Sequence, residues 1–77
     1  MKKYERQKYL NSIRKKLSFY IKQNKQLNLR DLSRKLGKND AYLQQYISRG
    51  SPSFLPEEER KMLSDIINLD INLLTPD

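Results

Sequence analysis

The stretch KNDAYLQQYISRG, residues 38–50, gathers hydrogen-bonding side chains at helical spacing. Wound as a helix, Leu43, Tyr46 and Ile47 share one face, while Asn39, Asp40, Ala41, Tyr42, Gln44, Gln45 and Ser48 occupy the other. An amide side chain carries both donors and an acceptor, and a carboxylate only accepts. Such a face does no covalent chemistry, but its groups match the edges of nucleic-acid bases. Gln pairs bidentately with adenine N6 and N7, and Asp accepts from cytosine N4. The competing reading is a solvated face, with Asp40 serving only the positive start of its helix.

Catalysis is poorly provided for. The chain has no histidine and no cysteine, so the usual zinc, iron and copper sites have no ligands. Ser-His and Cys-His nucleophile pairs are excluded on the same ground. Glu57, Glu58 and Glu59 are consecutive and diverge around a helix, so they form no convergent acid-base pair. We expect no enzyme, no metal, no cofactor and no small-molecule ligand. Disulfides are impossible, which fits a reducing compartment. No apolar run approaches the roughly 18 residues of a membrane span, and MKKYERQKYL has no apolar signal core behind its charged head. The expected location is the cytoplasm.

The net charge of +7 is unevenly distributed. Residues 1–27 hold nine Lys or Arg against one Glu, and residues 28–50 hold five against two acids. Residues 51–77 reverse the sign, with six acids against two bases. A chain polarised in this way offers a positive face to a polyanion and keeps a negative end away from it. A lysine-rich surface that serves solubility alone would share that composition.

The elements that must position these groups are all helical. Leu10, Ile13, Leu17 and Tyr20 or Ile21 recur at spacings of three and four, predicting a helix from about Lys3 to Asn24. Tyr4 and Tyr9 extend its buried stripe or cover the edge. Asn28 reads as an N-cap with Asp31 three residues on, opening a helix over Leu29 to Leu36 that Gly37 ends. Asn39 reads as the next N-cap, for a helix to Arg49 that Gly50 closes. Pro56 suits the first position of a fourth helix, with Met62, Leu63, Ile66 and Ile67 facing inward. Asp70 caps a short fifth helix, Ile71 to Leu74. The expectation is one all-α domain over residues 1–77, a compact five-helix bundle whose net stability is marginal at this size.

Two of these helices flank a tight turn at Gly37, Lys38 and Asn39, which is the layout of a helix-turn-helix over about residues 29–49. Ser33 is small where the two would cross. An ordinary helical hairpin shares this pattern. The stretch "LNLRDLSRKLGKNDAYLQQYISRGSPSFLPEEERKMLSDIINLDINLL", residues 27–74, further resembles the DNA-binding domain of lambdoid phage repressors and their Cro/cI (Xre-type) relatives. The family's small residue falls on Ser33, its turn glycine on Gly37 and its buried aliphatic on Leu43. "FLPE", residues 54–57, matches the start of its fourth helix. "KLGKNDAYLQQYISRG" is also similar to the amino-terminal domains of some LexA-like repressors that carry a self-cleaving peptidase, a domain this chain does not contain.

The resemblance implies that residues 39–49 enter the major groove, which admits one helix. On that basis Asn39, Asp40, Gln44 and Gln45 are expected at base edges, with Tyr42 near a thymine methyl or a phosphate. Phosphate contacts are expected from Asn28, Arg30, Arg34, Lys38, Arg49, Ser51 and Ser53, which position the protein without reading sequence. The lysines of residues 2–16 either add an amino-terminal arm or are solvated. Three positions depart from the family. Leu29 stands where many members place a phosphate-clamping glutamine. Lys38 replaces the turn's usual aliphatic. Asp40 puts a negative charge near the DNA backbone. The implied function is a sequence-specific transcriptional regulator, a repressor or similar, on a near-palindromic double-stranded operator. It would act as a homodimer, because one module of this size buries too little surface to be selective alone. Phe54, Leu55, Ile71 and Leu74 are the expected dimer surface, with a core role as their alternative. The rival class is a protein-interaction module, such as an antitoxin or antirepressor.

Overall fold

Residues 3–75 are described by a computed structural model, and their regular elements are all helical, with no strand among the described residues. Four α-helices follow in order: α1 (Lys3–Gln23), α2 (Leu29–Lys35), α3 (Tyr42–Arg49) and α4 (Glu57–Ile67). The expected fifth helix is a single 3-10 turn, Ile71–Leu73, with Asp70 capping it through the Asn72 N–H at 2.9 Å. Three residues cannot close the 13-atom ring of an α-helix, so the tighter form takes the last turn.

Local chemistry sets the boundaries. Asn28 is extended and accepts from the Asp31 N–H at 2.8 Å, while its amide donates to the Asp31 carboxylate at 2.9 Å. Gly37 takes φ +76, and the Lys38 N–H reaches back to the Ser33 carbonyl at 3.0 Å. That pair of features is a glycine-dependent helix stop. Gly50 ends α3 at φ +69, with its own N–H on the Tyr46 carbonyl at 3.0 Å. Asn68, at φ 57, ends α4 with the Leu69 N–H on the Ser64 carbonyl. Two starts differ from the sequence reading. Pro56 is the N-cap of α4 rather than its first residue. Helix α3 opens at Tyr42, because Asn39 turns its side chain onto the Ala41 N–H at 3.0 Å and closes a short turn first.

One core joins the elements. It contains Leu10, Ile13, Leu17 and Ile21 of α1, Leu32 and Leu36 beside α2, and Leu43 and Tyr46 of α3. Leu55, Leu63, Ile67 and Leu74 complete it. Helix α3 packs against both α1 and α2. Tyr20 ties α1 to the end of α4 by donating to the Ile67 carbonyl at 2.8 Å, and Tyr9 donates to the Thr75 carbonyl at 3.2 Å. Leu55 and Leu74 are 1% and 2% exposed, so they belong to the core and are withdrawn as dimer residues. Leu55, directly before Pro56, carries the connection between α3 and α4 into the core. Met62 leaves the inner stripe and is 43% exposed, since Glu59, Leu63 and Ile67 define the buried row of α4. Of the lysines between residues 2 and 16, Lys3, Lys8, Lys15 and Lys16 lie on α1. Met1, Lys2, Pro76 and Asp77, and the side chains of Lys3, Tyr4 and Arg6, lie outside what is described.

No helix of the described residues is long and apolar enough to cross a membrane.

Candidate nucleic-acid interface

Helix α3 is held by its inner face, which leaves the outer one available. Leu43 and Tyr46 are 0% and 1% exposed. Ser33, completely buried, locks the α2–α3 junction. Its hydroxyl donates to the Leu29 carbonyl at 2.7 Å and accepts from the Leu43 N–H at 3.0 Å. A free N–H of the first turn of α3 is thereby satisfied inside the protein. Any larger residue at position 33 would push the helices apart. The other end of α3 is held by α1, where the Arg14 guanidinium donates to the Tyr46 and Ile47 carbonyls at 3.4 Å and to Asn11. A cation on the last carbonyls also suits the negative end of the helix.

Gln44, Gln45 and Ser48 are exposed on the outer face. Ser48 donates to the Gln44 carbonyl at 2.7 Å, so its hydroxyl is partly committed. Both glutamine amides lack a hydrogen-bond partner within the chain and face solvent. Arg49, Ser51 and Ser53 are exposed beyond them. Gln44, Gln45, Arg49, Ser51 and Ser53 keep the availability the sequence reading requires.

The remaining expected contacts are already engaged. Asp40 accepts from Arg34 Nε at 2.7 Å and Nη2 at 2.9 Å, and from Arg30 Nε at 3.1 Å. The Arg34 hydrogen bond, helped by Arg30, holds the Asp40 carboxyl down to about 2, so the cluster stays ionised at neutral pH. Both carboxylate oxygens are therefore occupied before any base approaches. Asn39 spends its side-chain oxygen on Ala41. Asn28 spends both ends of its amide on Asp31. Each remains at the surface with less capacity than a free side chain has.

Tyr42 turns toward α4. Its hydroxyl donates to Glu59 Oε2 at 3.0 Å, and Lys38 Nζ lies 5.5 Å from its ring centroid. Burial, and then the bond to Glu59, push the phenol up to about 12. The hydroxyl is thus committed to a carboxylate that is itself 7% exposed. Lys38 Nζ stands 3.8 Å from the other oxygen of Glu59, which neutralises the buried charge without a hydrogen bond. Through its hydroxyl Tyr42 braces α3 against α4, and of its expected contacts near a thymine methyl or a phosphate only the partly accessible ring keeps a free face.

Arg14 and Glu59 were missed by sequence reasoning. Glu59 was legible, since it stands four residues before Leu63 and eight before Ile67 on the inward row of α4. Arg14 borders the Leu10–Ile13–Leu17 stripe, but only the folded position of α3 reveals its target. Among the described residues no group of His, Cys, Asp and Glu converges on a metal position.

No protein-family model, curated protein or solved structure matches the chain.

Proposed function

We propose that the chain is a sequence-specific double-stranded DNA-binding regulator of the helix-turn-helix type, most simply a repressor. Helix α3 enters the major groove, and the protein binds a near-palindromic operator as a dimer. One observation supports this reading: the outer face of α3 presents two uncommitted amides, Gln44 and Gln45, while Asn39, Asp40 and the Tyr42 hydroxyl near its start are already hydrogen-bonded to other groups of the chain. A helix of width about 10–12 Å fits a major groove about 12 Å wide. The flanking cations supply the sequence-independent attraction. Arg49 and the Arg30–Arg34 pair border the helix at its two ends, where phosphates run along the groove.

The test is selection of bound molecules from a random duplex pool at physiological salt, followed by sequencing. The expected product is an inverted repeat with half-site centres about one helical turn apart. Gln44→Ala should cost about 1–3 kcal/mol on the selected site and relax one base position. Recovery of an unenriched pool, or of no DNA, would overturn the reading.

A further inference from the structure

Two surface stripes on different helices match each other in spacing and oppose each other in charge. On α1, Lys15, Phe19 and Lys22 stand at intervals of four and three, so they share one face. On α4, Glu58, Met62 and Asp65 repeat the same intervals. All six residues are exposed. The two apolar centres are among the most exposed large hydrophobic residues, Phe19 at 65% and Met62 at 43%. Neither lysine forms an ion pair, and neither Glu58 nor Asp65 does. Phe19 stands in a shallow open groove whose lining includes Ile47 and the two stripe lysines.

We infer that the α1 stripe of one copy docks on the α4 stripe of a second copy of this chain. Phe19 meets Met62, a thioether on an aromatic ring, which is a favourable pairing. Lys15 and Lys22 meet the two carboxylates on either side of that contact. The occupant is a second copy because the chain itself supplies the complementary surface, at the same intervals and with the opposite sign at each flanking position. Within one copy all six side chains remain exposed, so neither stripe is covered by the other. Three side chains per partner cover much less than the roughly 1,200 Å² of a stable interface. The association is therefore weak and concentration-dependent, and salt weakens it further. It holds independently of whether the chain binds DNA.

The full chain, free of nucleic acid, should be followed by sedimentation velocity from about 10 μM to 1 mM at low and at high salt. The weight-average mass is expected to rise with concentration at low salt and to fall back toward the monomer at high salt. Lys15→Glu with Lys22→Glu should abolish the rise, and so should Glu58→Lys with Asp65→Lys. Mixing the two charge-reversed proteins should restore it, because each then offers the complement of the other. Circular dichroism on each variant confirms that the helices are intact. A monomer throughout at low salt, an association that charge reversal leaves unchanged, or a mixture that stays monomeric would each overturn the inference.

Discussion

Asp40 decides how much of the positive surface near α3 is free. It is shared by two guanidinium groups, so three charged side chains present the net charge of one cation. The Arg34 Nε–Nη2 edge is spent on Asp40, and Nη1 remains for an outside anion. Asp40→Ala would release both arginines. Affinity for a non-specific duplex should rise, and the slope of log K against log salt should steepen by about 0.9 for each phosphate newly contacted. Fluorescence anisotropy across a salt series measures both. An unchanged slope would mean that these arginines face away from the duplex. The ionisation of Asp40 gives a second prediction. Its carboxyl lies below the ordinary 3.8, at about 2. A depressed value means that the stabilising effect is complete above 3.8 and is lost as pH falls through about 2. The chain has no histidine, so duplex affinity should be flat from pH 5.5 to about 7, below the range of an ordinary α-amino group. A titration step in that interval would require a group that this surface does not contain.

The helices and their ends were largely legible, because caps and stops are local chemistry. Asn28 with Asp31, Gly37 and Gly50 each act where the sequence places them. Legibility failed where a side chain had two local partners or where packing chose the face. Asn39 satisfied a turn before α3 rather than capping it. Tyr42 preferred a buried carboxylate to the solvent face. Leu55 and Leu74 went to a core that no periodicity outlines, since neither sits in a long helix. The available face of α3 was readable from Leu43 and Tyr46 alone, whereas the commitment of Asp40 needed the folded distance to α2. At this scale the junction is the sensitive point. Ser33→Ala removes the acceptor for the buried Leu43 N–H and should cost about 1–3 kcal/mol. Urea denaturation would record it as a lower midpoint with an unchanged slope. Gly50→Ala should also destabilise. Its new Cβ would lie 2.8 Å from Arg14 Nη1, and φ +69 itself costs an L-residue roughly 1–2 kcal/mol. Arg14→Ala removes the clashing group at the cost of its own hydrogen bonds to α3, so the destabilisation by Gly50→Ala measured in the Arg14→Ala background, against that single variant, should fall to the backbone cost alone.

Across the whole molecule the charges form a gradient from the basic α1 to the acidic α4, and α3 lies between them. Such a field steers a polyanion to one side and keeps α4 clear of it. How steeply binding responds to salt depends on free charges rather than on the total of +7. Four cations border the proposed interface: Arg30, Arg34, Lys38 and Arg49. Were all four to displace counterions, each protomer would contribute a slope of roughly −3.6. Two of them share Asp40, and Lys38 is held near Glu59. Only Arg49 enters without a carboxylate partner. The slope per protomer on non-specific duplex should therefore be shallower than −3.6, and Asp40→Ala should move it toward that value. Arg49→Ala should remove about 0.9 from either protein. A wild-type slope already at the full value would show that the arginines leave Asp40 when DNA arrives, and the carboxylate would then act as a resting partner rather than a permanent one.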